Sequence, residues 1–321
     1  MKRTGLLFLL LALIVPIGFM APNLSAKASG ADIQAQAIIQ GAMLYDNWFA
    51  ALGVDPPDGH MPLWSRQNTN TRSGADTWRC VTCHGWDYQG NEGAYRSGSN
   101  FTGFPGVLRS SQELDADTII DQLNGKIDPA HNFSPYLSKT DLNNLAIFLT
   151  EGLIDDDQFI DPITLKVLDA DQVAGKALYE RTCQECHGAD GTSLTLSFDG
   201  MRAGLGTLAN ADPWRFLHKT RFGTPGTVMP IGYELGWTPE NGRDVLAYAQ
   251  TMPSGFEFEE PEPVLEGREA PRPVGGPASG FWGGILTALG AMATSLGFAV
   301  LLGGVLIGVL LVIVWLLRGR K

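Results

Sequence analysis

The chain has 321 residues, enough for two small domains with terminal tails, and a formal net charge of −11. Six of its 23 basic residues and none of its 34 acidic residues lie in the terminal segments 1–28 and 281–321, so residues 29–280 carry a charge of −17. This acidity excludes a nucleic-acid partner and favours a partner with a basic surface, although ordinary solubility explains it equally well.

The N-terminal segment, residues 1–28, is typical of a signal peptide. Two basic residues precede an uncharged run over residues 5–20, and Ala26-Lys27-Ala28 is the small-x-small pattern that export peptidases cut after. An uncleaved anchor is the alternative, but the uncharged run is shorter than the roughly 20 residues of a spanning helix. We therefore expect the chain to be exported.

All four cysteines lie in two C-x-x-C-H motifs, Cys80-Val81-Thr82-Cys83-His84 and Cys183-Gln184-Glu185-Cys186-His187. This pattern is the attachment signature of c-type haem, in which two sulfurs bind the porphyrin covalently and the histidine binds the iron. A redox disulfide or half a zinc site could explain one motif. Two motifs that use every cysteine of an exported chain predict two covalently bound haem c groups, with His84 and His187 as iron ligands.

The sequence around the motifs repeats, which divides the chain into two halves. A predicted helix containing Gly175-Lys176-Ala177-Leu178-Tyr179 leads into the second motif, and Gly41-Ala42-Met43-Leu44-Tyr45 matches it in the first half. Gly41 precedes Cys80 by 39 residues, whereas Gly175 precedes Cys183 by eight. The first half therefore carries an inserted loop, residues 46–79, which we expect to be irregular.

Each half is predicted to close with a helix. Ser138-Lys139-Thr140-Asp141 resembles a capping box, and Thr238 is a predicted N-cap with Pro239 at the first helical position. The order helix, haem motif, loop, helix resembles the small all-helical cytochrome c family over nearly all of both halves. The resemblance implies an all-α fold with two tandem cytochrome c-like domains, residues 33–152 and 170–253, and an acidic linker, residues 153–169.

The C-terminal segments predict attachment to a membrane. Residues 254–280 are dense in Pro, Glu and Gly and predict a disordered tether. Residues 281–317 are uncharged and precede the basic tail 318–321, which predicts a transmembrane helix with a cytoplasmic tail. We therefore expect a single-pass protein of a bacterial cytoplasmic membrane, with both halves on the periplasmic face.

The second ligand of each iron decides between electron transfer and catalysis. In the cytochrome c family this ligand comes from the loop before the closing helix. There the second half has Met229 followed by proline, as the family pattern has, so the resemblance implies Met229 as ligand of the second iron. Met201 and Met252 are weaker alternatives, since neither lies in that loop.

The first half has no methionine between His84 and the end of its closing helix. His131 lies seven residues before Ser138, in the equivalent loop, so we predict that His84 and His131 both bind the first iron. His60 or Met61 from the inserted loop, or an open coordination position, are the alternatives. Imidazole stabilises ferric iron better than thioether, so this haem would have the lower potential.

Other residues near the motifs have expected supporting roles. Arg79 is expected to contact a haem propionate or solvent, and His218 to be structural or to contact a propionate. The nearby aromatic residues are expected to form the walls of the haem pockets: Trp78, Trp86, Tyr88, Phe101, Phe104, Trp214, Phe216 and Phe222.

Two irons that are saturated by protein ligands need no substrate site. The sequence therefore predicts no catalytic residue and favours an electron carrier, or the cytochrome subunit of a respiratory or photosynthetic complex. Its partners would be redox proteins, either a basic-surfaced carrier or a membrane complex. The alternatives are a dihaem peroxidase with an open first haem, a thiosulfate-type oxidoreductase, whose cysteine ligand is unavailable here, and a structural subunit.

Overall fold

The computed structural model describes residues 29–198 and 201–257, which belong to one compact unit. The segments predicted as signal peptide (1–28), transmembrane helix (281–317) and basic tail (318–321) lie outside these residues. So does the predicted tether from residue 258 onward.

The first half is built around its long opening helix, α1 (Gly30–Leu52), whose N-terminus is a capping box of Ser29 and Asp32. Ser138 and Asp141 form the predicted capping box at the start of the closing helix, which ends in a π-helical turn. The remaining elements are short, and several are single turns. In chain order the elements after α1 are the 3₁₀ helices Pro62–Arg66 and Gly74–Trp78, α2 (Cys80–His84), α3 (Ser110–Glu113), α4 (Ala116–Leu123), the 3₁₀ helix Pro129–His131, α5 (Lys139–Ile147) and the π turn Phe148–Gly152.

The second half also begins and ends in a helix. Thr238 caps the closing helix with Asn241, and Pro239 occupies the first helical position as predicted. In chain order the linker and second half contain the 3₁₀ helix Asp156–Gln158, α6 (Gln172–Thr182), α7 (Gln184–His187), β1 (Leu196–Phe198), β2 (Met201–Ala203), α8 (Leu205–Ala211), α9 (Pro213–Phe222), α10 (Pro239–Ala249) and β3 (Phe256–Glu257).

The prediction of an all-α fold with two tandem cytochrome c-like helical domains is wrong. Strands β1, β2 and β3 form a three-stranded antiparallel sheet in that order. Within residues 29–198 and 201–257, no helix is long and apolar enough to cross a membrane. The strand signal was present in the sequence: Leu194-Thr195-Leu196-Ser197-Phe198 alternates apolar and polar residues, and Asp199-Gly200 is a typical hairpin dipeptide. Strand β3 falls at the start of the predicted tether.

A glycine lets the opening and closing helices of each half pack closely. A Cβ atom on Gly41 would overlap the backbone carbonyl of Asn144 in α5, and a Cβ on Gly175 would overlap that of Asp244 in α10. Both carbonyls belong to the residue six positions after the N-cap of the closing helix. The two glycines of the sequence repeat therefore have the same structural role.

A tyrosine of each opening helix holds the turn that follows the C-x-x-C-H motif. The Tyr45 hydroxyl donates to the carbonyl of Gly85 at 2.7 Å, and the Tyr179 hydroxyl donates to that of Gly188 at 2.6 Å. Both glycines have a φ near +80°, a left-handed conformation that side chains disfavour. This bond connects the opening helix with the residue after the motif histidine in both halves.

Buried polar contacts join the two halves. Asp46 of α1 is 1% exposed and forms ion pairs with Lys219 of α9 and with Arg79, the latter at 2.9 Å. Burial acts to raise the pKa of Asp46, but the two cations together lower it below its ordinary value. In the linker, Asp157 accepts hydrogen bonds from Trp214 at 2.8 Å and from Gln89 at 2.7 Å. The predicted linker is therefore folded between the halves in this region.

Candidate haem sites

The first C-x-x-C-H motif lines a cavity of about 370 Å³. Helix α2 places Cys80, Cys83 and His84 on its wall, and none of the four cysteines forms a disulfide. Burial raises the pKa of Cys80 and of Cys83 to about 12, so both stay protonated near neutral pH. Much of the remaining wall is apolar, which suits a large flat apolar ligand. Its apolar side chains include Leu114, Ile119, Leu123, Phe133, Leu145 and Leu149.

The predicted ligands His84 and His131 face this cavity together. Their ring centres are 6.3 Å apart and their ring planes are nearly perpendicular, at 89°. A metal-bound imidazole nitrogen lies about 2.0 Å from the metal and about 1.1 Å from its ring centre, so two imidazoles on opposite sides of one metal have centres about 6 Å apart. The spacing of the two histidines therefore fits one iron between them.

Backbone carbonyls orient both imidazoles. His84 Nδ1 donates to the carbonyl of Pro105 at 2.7 Å, and His131 Nδ1 to that of Gln122 at 3.1 Å, so each Nε2 keeps a free lone pair. Burial lowers the pKa of His84 to about 4, assisted by His131, and burial also lowers the pKa of His131. Both rings are therefore neutral near physiological pH. Two neutral imidazoles, each with a free Nε2, fit the axial positions of a haem iron.

The inserted loop, predicted to be irregular, closes one side of the cavity with its first 3₁₀ helix. Met61, at the start of this helix, is buried and lines the cavity, whereas His60 is exposed and lies outside the cavity wall. Arg66 forms a two-pronged ion pair with Asp128, three residues before His131. Of the two alternative ligands in the loop, Met61 lines the cavity and His60 does not.

The second motif is more open than the first. Cys186 is exposed, while Cys183 and His187 are half-buried. His187 Nδ1 is buried without a hydrogen-bond partner, and burial lowers the pKa of this ring. Nε2 of this ring is the nitrogen that would bind an iron, and Nδ1 is not held by a backbone carbonyl as it is in His84 and His131.

The candidate methionines lie in different places around the second half. Met229 is half-buried, and its Sδ accepts a hydrogen bond from the Thr224 hydroxyl at 3.3 Å. Met252 is buried with its Sδ close to Gly191, four residues after His187, and Met201 begins strand β2. Met252 therefore lies beside the segment that follows the second motif, whereas Met229 contacts its own loop.

Several supporting residues differ from expectation. Phe104 lines the first cavity, but Trp86 packs between the halves on His218, with ring centres 5.1 Å apart. His218 is fully buried and bonds the Tyr88 hydroxyl through Nδ1 at 2.7 Å. The sequence analysis missed Tyr45, which lines the cavity; its position in the repeat was the available signal.

Arg79, expected to contact a propionate or solvent, pairs with Asp46 while also reaching the cavity wall. The described residues contain no group of three or more His, Cys, Asp and Glu side chains that could hold a bare metal ion. A haem iron needs only two protein ligands, because the porphyrin supplies the other four.

Asp87, three residues after His84, carries a buried carboxylate that accepts hydrogen bonds from the backbone amides of Gln89 and Ala94. Burial raises its pKa from an ordinary value of 3.8 to about 6. The folded protein therefore binds this proton more tightly than the unfolded chain does, so we expect stability to fall as the pH rises from about 4 to about 6. The loss amounts to about 3 kcal/mol.

The Asp87→Asn variant removes the titrating carboxylate. Between pH about 4 and about 6, we therefore expect its free energy of unfolding to fall by about 3 kcal/mol less than that of the wild type. Urea unfolding at several pH values, followed by circular dichroism, measures it. Asp58→Asn, at an exposed carboxylate, is the control. An unchanged pH profile in Asp87→Asn would show that the buried carboxylate does not titrate in this range.

Comparisons of the chain with protein-family profiles, with curated proteins and with solved structures gave no match.

Proposed function

We propose that the chain is a dihaem c-type cytochrome that transfers single electrons between redox partner proteins. The observation that carries the proposal is the pair His84 and His131, with ring centres 6.3 Å apart on one cavity that Cys80 and Cys83 also line. Bound haem would supply a one-electron iron couple. If His84 and His131 both held the iron, no position would remain for a substrate, which favours electron transfer over catalysis.

The residues around the cavity would hold the cofactor in one arrangement during oxidation and reduction. Cys80 and Cys83 would anchor the porphyrin, and the apolar wall would exclude water from it. The carbonyls of Pro105 and Gln122 keep the imidazoles oriented, and burial keeps them neutral, so no proton has to move at the ligands. A site that changes little between two charge states suits rapid electron exchange.

The second haem would be bound by Cys183, Cys186 and His187, with Met229 as the proposed second ligand. The exposure of Cys186 supports electron exchange with partners at this haem. A thioether ligand raises the potential, so Met229 would make the second haem the more oxidising of the two. The charge of −17 over residues 29–280 favours a basic-surfaced partner, and the predicted signal peptide supports an extracytoplasmic location.

A dihaem peroxidase is the rival function, because it would use an open first haem to bind peroxide. The pairing of His84 with His131 across the cavity disfavours it, since both axial positions would be filled. A peroxidase would require His131 to leave the iron before peroxide could bind.

The test begins with the purified full-length protein. We expect the porphyrin to stay with the polypeptide after acid–acetone extraction, at two haems per chain, and to fall to one in a Cys80→Ala/Cys83→Ala variant. A redox titration followed by electron paramagnetic resonance should give two low-spin haems with separate one-electron midpoints. Absence of covalently retained porphyrin would refute the proposal, and a high-spin first haem that binds carbon monoxide would favour the peroxidase.

A further inference from the structure

The loop between α9 and α10, residues 223–238, is ordered locally by two threonines. The Thr227 hydroxyl donates to the carbonyl of Thr224 at 2.8 Å, and the Met229 amide donates to Thr227 Oγ1 at 3.3 Å. The Thr224 hydroxyl in turn donates to the Sδ atom of Met229 at 3.3 Å. The methionine is therefore held at its backbone by one threonine and at its sulfur by the other.

The same loop packs against the opening helix of the first half. Gly223 and Gly226 have φ angles of +83° and +74°. A Cβ atom on Gly223 would lie 3.3 Å from the side chain of Met43, and one on Gly226 would lie 3.3 Å from the carbonyl of Ala50. Both contacts are with α1, so the position of the loop is set by the first half as well as by the second.

We infer that Thr224 is a positioning residue for Met229, whose thioether would bind the second iron; the inference rests on the proposed function. A thioether sulfur has two lone pairs and is a weak hydrogen-bond acceptor. With one lone pair engaged by the Thr224 hydroxyl, the other is the one left to bind the iron. The positive end of the hydroxyl dipole then lies beside the ligand atom, which disfavours ferric iron and raises the potential of the second haem.

The test compares two substitutions in the full-length protein. Thr224→Val keeps the shape of the side chain but removes the hydroxyl, whereas Thr224→Ser keeps the hydroxyl. We expect Thr224→Val to lower the midpoint potential of the second haem, which changes the electron-exchange equilibrium between the two haems roughly fivefold, the size of one hydrogen bond. Thr224→Ser should retain the wild-type potential, and the first haem should be unaffected in both variants.

The sulfur-to-iron charge-transfer band of the ferric protein distinguishes the possible failures. If wild-type protein shows this band but Thr224→Val leaves the potential unchanged, or Thr224→Ser shifts it equally, Thr224 has no such role. If wild-type protein keeps both porphyrins but lacks the band, Met229 is not a ligand, and the inference fails with that assignment. If Thr224→Val does not fold, Thr224→Ala provides the same comparison with a smaller side chain.

Discussion

Replacing His131 with alanine is expected to convert the proposed first haem from a six-coordinate low-spin centre into a five-coordinate high-spin one that binds carbon monoxide and cyanide. The reason is the geometry of the cavity, where His131 is the imidazole that faces His84 at 6.3 Å. Absorption and electron paramagnetic resonance spectra measure the change.

Two matched variants test whether this effect belongs to His131. His60→Ala removes an exposed histidine outside the cavity wall and should leave the first haem low-spin. Met61→Leu keeps a buried apolar side chain in the same cavity and should also leave it low-spin. If His131→Ala stays low-spin while Met61→Leu becomes high-spin, Met61 is the ligand and the bis-histidine assignment is wrong.

Replacing Gly175 with alanine is expected to lower the free energy of unfolding by about 3 kcal/mol. Helix propensity alone predicts the opposite, since alanine is favoured over glycine within a helix by up to about 1 kcal/mol. Packing should dominate, because the new Cβ would overlap the backbone carbonyl of Asp244 and force α6 and α10 apart. Urea unfolding followed by circular dichroism measures the loss.

Gly30→Ala is the matched control for this substitution. Gly30 lies in a helix too, at the start of α1, but a Cβ atom there would contact nothing within 4 Å. Its stability should therefore equal or slightly exceed that of the wild type. Gly41→Ala, at the equivalent crossing of the first half, should lose about as much stability as Gly175→Ala. If Gly175→Ala is as stable as the wild type, α6 and α10 can move apart at little cost in free energy.

Local patterns in the sequence anticipated the local features of the structure. Ser138 and Thr238 cap the closing helices as expected, because a side chain that bonds the backbone three residues ahead needs only its own neighbourhood. The sheet was missed although Leu196 and Phe198 lie in an alternating segment, since the resemblance to an all-helical family outweighed the short period-two signal. Strand β3 could not be read locally, because only its pairing with β2 makes Phe256–Glu257 a strand.

The sequence by itself determined the two C-x-x-C-H motifs, the repeat around them and the prediction of His84 and His131 as ligands of a first haem iron. Only the tertiary structure brought these two imidazoles to the same cavity with both Nε2 atoms free, and only it placed Met61 on that cavity but not His60. The ion pair of Asp46 with Lys219 was likewise invisible in the sequence. Contacts of this kind join residues far apart in the chain, and their geometry depends on how all the intervening elements pack together.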